Sequence, residues 1–372
     1  MSLRIAGMGW VTPLGRGVDP VWQRLLKGDE ALPEQIRDGF GDQHYNVFRV
    51  PETALAGLPP HPRLRRASPI SRFAVAAGLD ALEQLKLNPE NAKRIALVFA
   101  ISNGGVIYTK RFYHDIVESG AQSASPLLFP ETVFNAPASH LAAILGITGA
   151  TYTVIGDGAV GVLALKMAED LMANEDLDYC LVVGAEEVDW LLCDAYRKWR
   201  LLRLEPPVEP FHKIAHGMIL SEGAGAVLLG RDTGAIALEK IHPGGHYHDR
   251  SEIEPLLKSV LSDLTSSKID IAITSANGTF IDKAESNALS KVSDALVYTA
   301  KPAMGESVGA AGLWQTIIAA KALLEAELPP LLHSSALLSV PRSRTKLFEP
   351  RSAIVLTCGM NQQLAGLRLI KA

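Results

Sequence analysis

Residues 151–172 read TYTVIGDGAVGVLALKMAEDLM. The first five residues are rich in β-branched and aromatic side chains, and Gly156, Asp157 and Gly158 break the run. The stretch 160–173 then continues with apolar residues at helical spacing. That order spells a strand, a tight turn and an amphipathic helix. Such an elbow displays whatever sits at its tip, and the partial positive charge of a helix N-terminus would stabilise a thiolate or an oxyanion there. Here the tip offers Asp157 between two glycines and no thiol or hydroxyl. The plainer reading has the glycines making the turn and Asp157 capping the helix.

Outward from the elbow, short apolar runs alternate with Ala/Leu-rich stretches along the whole chain. Buried strands are expected at 95–100, 152–156, 179–184, 225–229, 269–274, 295–298 and 353–357, and helices at 71–85, 136–145, 160–173 and 309–326. Near-continuous apolar strands separated by crossover helices build sheets covered on both faces, so a layered α/β architecture follows. The strand-to-polar-turn segments 152–158 and 271–278 resemble each other, which suits an internal duplication with a site between the halves. The 372 residues hold 36 Lys and Arg against 40 Asp and Glu, a balance that argues against nucleic-acid binding. With 48% hydrophobic and 20% charged residues the chain builds one large core. Cys180, Cys193 and Cys358 are too few and too scattered for a disulfide framework or a zinc site, and suit a reducing cytoplasm. No run reaches about 18 uninterrupted apolar residues, so neither a membrane span nor a signal peptide is expected.

Several segments, in order, resemble the β-ketoacyl-acyl-carrier-protein synthases of the thiolase fold. They are IAGMGWVTPLGRGVDPVWQRLLKG, SPLLFPETVFNAPASHLAAILGITGATYTV, DYCLVVGAEEVD, PFHKIAHGMILSEGAGAVLL, SANGTFIDKAESNAL, AKPAMGESVGAAGLWQTIIAAKAL and SAIVLTCGMNQ. The resemblance implies a layered α-β-α-β-α fold with two pseudo-duplicated halves, 1–230 and 231–372, packed as one unit. It implies no cofactor and no metal.

The departures fall where that family keeps its chemistry. In the family pattern T-A-C-A-S-G the Cys takes the acyl chain, and Gly158 stands at its place. The first catalytic His belongs to H-G-T-G-T, which here begins at Asn277. The second belongs to K-S-x-x-G-H-x-x-G-A-A-G, which here reads KPAMGESVGAAG, with Glu306 in place of the His. Those histidines stabilise developing negative charge, which a Glu306 carboxylate would repel. Framework residues are kept: Lys301, Glu222, Asp282, Glu285 and the run 309–312. The C-terminal loop, glycine-rich with a gating Phe in the family, reads LTCGMNQ here, with Cys358 near the Phe position.

Losing all three members of a cooperating set leaves only binding effects. The resemblance therefore points to the inactive chain-length-factor subunits that pair with a complete ketosynthase in fatty-acid, polyketide or polyene synthesis. In this reading Val106, Tyr108, Thr109, Phe112 and Phe134 line the acyl tunnel, and an acyl carrier protein is a further partner. A second reading is a homodimeric enzyme in which Asp157, Asn277 and Glu306 converge as a repurposed thioester pocket. A third is a non-catalytic acyl or carrier-protein binding module. Cys180 reads as core and Cys193 as helix packing. His242, His246 and His248 read as a solvated loop, and Tyr108 with Phe112 as an aromatic stripe on a helix.

Overall fold

Ten strands pair along one path in the computed structural model, which describes residues 2–39, 41–83, 85, 91–174, 176–290, 294–334 and 339–372. They are β1 (Leu3–Thr12), β2 (Ile95–Ile101), β3 (Thr151–Ile155), β4 (Tyr179–Glu186), β5 (Gly223–Arg231), β6 (Ile236–His246), β7 (Ile271–Ile273), β8 (Leu296–Tyr298), β9 (Ser352–Cys358) and β10 (Gln363–Lys371). A two-residue strand, Gly15–Arg16, folds back on β1. The helices are α1 (Val18–Lys27), α2 (Pro69–Leu82), α3 (Val106–Ser119), α4 (Ala136–Leu145), α5 (Val160–Leu171), α6 (Trp190–Lys198), α7 (Ile253–Leu264), α8 (Ile281–Leu289), α9 (Lys301–Met304) and α10 (Val308–Glu325).

The path runs β8-β7-β9-β10-β6-β1-β5-β4-β2-β3. β1 and β6 pair at one position, Arg4 opposite Ala237, so the path divides there into two five-stranded halves. In the first half β3, β2 and β4 run parallel, while β5 and then β1 add on antiparallel. The second half repeats this pattern, with β8, β7 and β9 parallel and β10 and β6 antiparallel. Helices α2 and α4 cover the outer face of the first half, α7 backed by α8 covers that of the second, and α5 and α10 lie between the sheets. This is the layered α-β-α-β-α thiolase-like fold with pseudo-duplicated halves.

The duplication pairs different elements from those the sequence suggested. β3, at 151–155, corresponds to β8, because each is the third strand of its half and runs into a central helix. β7 corresponds to β2 instead. Asn103 and Gly104 after β2 match Asn277 and Gly278 after β7, and both glycines take positive φ, 74° and 87°. A strand entering a small polar turn recurs too often in an α/β sheet to choose the partner.

The central layer explains two glycines. A methyl on Gly161 of α5 would fall 3.0 Å from the Gly312 Cα of α10, and one on Gly312 would fall 3.1 Å from the Gly161 Cα. α10 is buried from Val308 to Leu323, as a helix wedged between two sheets must be. All seven residues of β2 and of β9 are buried, as their apolar runs predict. β3 departs from that expectation: it is the outermost strand of its half, and Tyr152 and Ile155 are 43% and 53% exposed. The helix expected over 71–85 runs Pro69–Leu82, with the proline in its first turn, where no hydrogen bond is lost.

Candidate functional site

β3 delivers the elbow to the second half of the molecule. A methyl on Gly158 would lie 3.2 Å from the Gly359 Cα, so the turn after β9 sits directly against the elbow tip. Asp157 does not cap α5: the N-cap residue is Ala159, with no side-chain cap bond. The Asp157 carboxylate instead accepts the Asn361 N–H at 2.7 Å, while the Asp157 N–H donates to Gln363 Oε1 at 3.3 Å. Burial pushes the Asp157 carboxyl up to about 6; the Asn361 amide opposes this, and the nearby Glu306 charge adds to it.

Asn277 arrives on the loop after β7. Asp282, at the start of α8, accepts the N–H groups of Asn277, Gly278 and Phe211 at 2.9, 3.0 and 2.8 Å. That retained acid shapes the loop. Asn277 Oδ1 accepts from Thr279 Oγ1 at 2.7 Å, which orients the amide so that Nδ2 donates to Glu306 Oε2 at 2.8 Å. Glu306 Oε1 pairs with Lys301 Nζ at 2.5 Å, and both side chains are almost wholly buried. Backbone bonds from Glu306 N to Ile219 O and from Ser221 N to Glu306 O, each 2.8 Å, fix the segment.

The Glu306 carboxylate does not stand alone in the site. Its two oxygens are engaged by an ammonium and an amide, leaving a locally neutral, satisfied network. Convergence of the three candidate groups is partial: Asn277 and Glu306 bond directly, whereas Asp157 turns to the C-terminal loop. Glu222 lies elsewhere in the framework, accepting from Arg49 Nη1 and the N–H groups of Val50 and Val188 at 3.0, 3.2 and 3.4 Å. Glu285 takes the Ser275 N–H and hydroxyl, and Ser275 Oγ accepts the Cys358 N–H at 2.9 Å. Burial raises Glu285 to about 8.

Glu186, Asn103 and Tyr196 escaped the sequence reading. Glu186 at the end of β4 accepts the Gly309 and Asn103 N–H groups at 3.0 and 3.4 Å, and burial raises it to about 8. Tyr196 of α6 is buried within electrostatic reach of Glu186, Glu306 and Asp157, and burial raises its phenol. The available signal was the acid-rich run GAEEVD closing an apolar strand. Cys180 in β4 and Cys193 in α6 are buried and each pushed up to about 12. Cys358 is buried with its thiol also pushed up, so these three are thiols rather than nucleophilic thiolates.

The expected tunnel residues divide. Phe112 is buried and its ring lies 5.9 Å from that of Phe129, while Phe134 packs on Gly104 and is 43% exposed. Val106 and Thr109 are half-buried on the first turns of α3. Tyr108 lines a separate surface groove of about 320 Å³ with Arg65, Arg66 and Arg111. His242 and His246 belong to β6 rather than to a loop, because that strand extends further than its apolar run; His242 Nδ1 accepts the Gly244 N–H at 2.8 Å. Among the described residues no three His, Cys, Asp or Glu side chains are grouped to hold a metal ion. No helix among them is long and apolar enough to cross a membrane.

Family models for the β-ketoacyl synthase N-terminal and C-terminal domains match residues 2–235 and 237–335, and the chain belongs to that family. It is 25% identical to the 3-oxoacyl-[acyl-carrier-protein] synthase 2 of Vibrio cholerae, over 88% of this chain and 87% of that one. The enzyme of the same name from Staphylococcus aureus is 21% identical, over 89% and 90%. Among solved structures, a β-ketoacyl synthase from Burkholderia phymatum superposes with a TM-score of 0.86 at 19% identity, covering 100% of this chain and 99% of that one. The ishigamide ketosynthase/chain length factor gives 0.84 at 20% identity, with the same coverage.

Proposed function

We propose that the chain is a non-catalytic ketosynthase-family subunit that pairs with a catalytically complete ketosynthase and shapes its acyl tunnel, in the manner of a chain length factor. The observation that carries this reading is the closed Lys301–Glu306–Asn277 network, taken with the glycine at 158. Where condensation needs a nucleophile and two donors to a forming anion, this chain has no side chain at 158 and a carboxylate whose partners are already taken. The halves 1–230 and 231–372 serve as one unit in a cytoplasmic complex. Phe112, Phe134, Val106 and Thr109 set product length by steric exclusion, each methylene denied costing the growing chain about 0.8 kcal/mol of burial. Phe112→Ala is expected to lengthen the products of the pair, read by mass spectrometry; unchanged lengths exclude Phe112 from the tunnel.

An acyl carrier protein is the second partner in this reading. Arg65, Arg66 and Arg111 line one groove with a single acid, Asp115, and carry no salt bridge among the described residues, a net cationic surface suited to an acidic partner. The test of pairing is co-purification of the tagged chain from its host. A ketosynthase with an intact Cys-His-His set in near-equal amount supports the reading, and a clean homodimer sinks it. The homodimeric enzyme draws support from one observation, the Asp157 carboxyl raised to about 6, which suits acid-base work near neutrality. A hydrolase or decarboxylase activity lost in Asp157→Asn would favour it. The binding-module reading is the weaker for an elbow pressed against Gly359.

A further inference from the structure

The turn at 359–363 is held on the elbow by contacts that all converge on Asp157 or its neighbours. Asp157 Oδ2 accepts the Asn361 N–H at 2.7 Å, and the Asp157 N–H returns a bond to the Gln363 side chain. The carboxylate lies against Gly359: a methyl built there would fall 2.0 Å from both of its oxygens, so any side chain at 359 would displace the carboxylate. On its far side the turn is tied to Tyr247, whose hydroxyl donates to Gly359 O at 2.7 Å and whose N–H donates to Gln362 O at 2.9 Å. The Cys358 thiol is buried at the base of this turn.

We propose that Asp157 is a latch that clamps the turn at 359–363 onto the elbow and keeps the chain's own site shut. Asp157 is a positioning residue here, acting through the Asn361 amide rather than on any substrate. Gly158 lies directly against the clamped turn, and the Glu306 carboxylate is within electrostatic reach of Asp157. A site with no nucleophile that admitted a carrier-borne arm would hold the carrier in a dead-end complex. A shut elbow sends the arm to the partner's site instead. This use of the latch rests on the paired-subunit reading, but the clamp itself does not.

The native cysteines provide the test. Iodoacetamide labelling of the full chain under native conditions, resolved by peptide mass spectrometry, compares Cys358 with Cys180 and Cys193, which are buried in β4 and α6. In Asp157→Ala the Cys358 rate is expected to rise at least tenfold while the other two stay unchanged. In Asp157→Asn, which keeps an oxygen acceptor, Cys358 is expected to remain protected. Hydrogen exchange should show the Asn361 amide losing protection in the alanine variant. An unchanged Cys358 rate overturns the latch, as does an equal rise at all three cysteines, which would report global loosening. Labelling reads the turn and co-purification reads the partner, so either proposal can fail alone.

Discussion

Lys301 and Glu306 form a buried ion pair whose worth lies in its completeness. Removing one partner leaves an uncompensated charge in the core, so Lys301→Met is expected to cost about 3–5 kcal/mol of stability in urea denaturation. The double variant Lys301→Met with Glu306→Leu should recover most of that loss. Titration gives a second prediction. Asp157 is raised to about 6, Glu187 to about 7, and Glu186 and Glu285 to about 8, all by burial. Each lies above its unfolded value, 3.8 for Asp and 4.5 for Glu, so between about pH 4 and 8 the folded state binds more protons than the unfolded one. Stability should fall as pH rises through that window, with a melting temperature higher at pH 5.5 than at pH 8, and Glu285→Gln should flatten the slope. Glu209, held down to about 2 by Arg203 and His216, works in the opposite sense only below about pH 4.5. Residue identities at 158, 277 and 306 were legible in the sequence. Their bonds were not, because Glu306 meets Asn277 only after the loop that follows β7 is brought against the segment 301–306.

At the scale of elements, the contact of α5 with α10 through Gly161 and Gly312 sets how closely these two helices pack side by side between the sheets. Gly161→Val is expected to destabilise the fold by about 1–3 kcal/mol through overpacking, measured by chemical denaturation, whereas a valine at exposed Glu83 should be nearly neutral. Strands and helices were largely readable because an apolar run buried on both faces leaves a direct trace in composition. The boundaries of β6 and the exposure of β3 were not. A strand's length depends on what it pairs with, and β10 accompanies β6 from Ile236 to His246 well past its apolar part. The likeness of 152–158 to 271–278 suggested an internal duplication but joined the wrong strands, because matching its elements requires the strand order.

For the whole molecule, one set of large apolar side chains stays exposed on α3, on the segment that follows it and on β3. Tyr113 and Val117 of α3, Phe129, Phe134, and Tyr152 and Ile155 of β3 all present large hydrophobic surface in the single chain. An unpaired outermost strand flanked by such residues invites strand pairing with another subunit. Ile155→Lys is expected to abolish assembly, read by light scattering, without lowering the melting temperature of the single chain. An unchanged oligomeric state would place the interface elsewhere.

The strand order of the first half also bears on how the chain comes into being. β1 finds its main partner in β5, whose residues 223–231 are made more than two hundred positions later. At about 5–20 residues per second a nascent chain would wait on the order of 10–40 s before the first half-sheet could close. Throughout that interval β1, with Trp10 and Val11 destined for full burial, has only the short strand Gly15–Arg16 to pair with. Yield in the cell should therefore depend on chaperones that shield this segment during synthesis, more than on the stability of the finished fold.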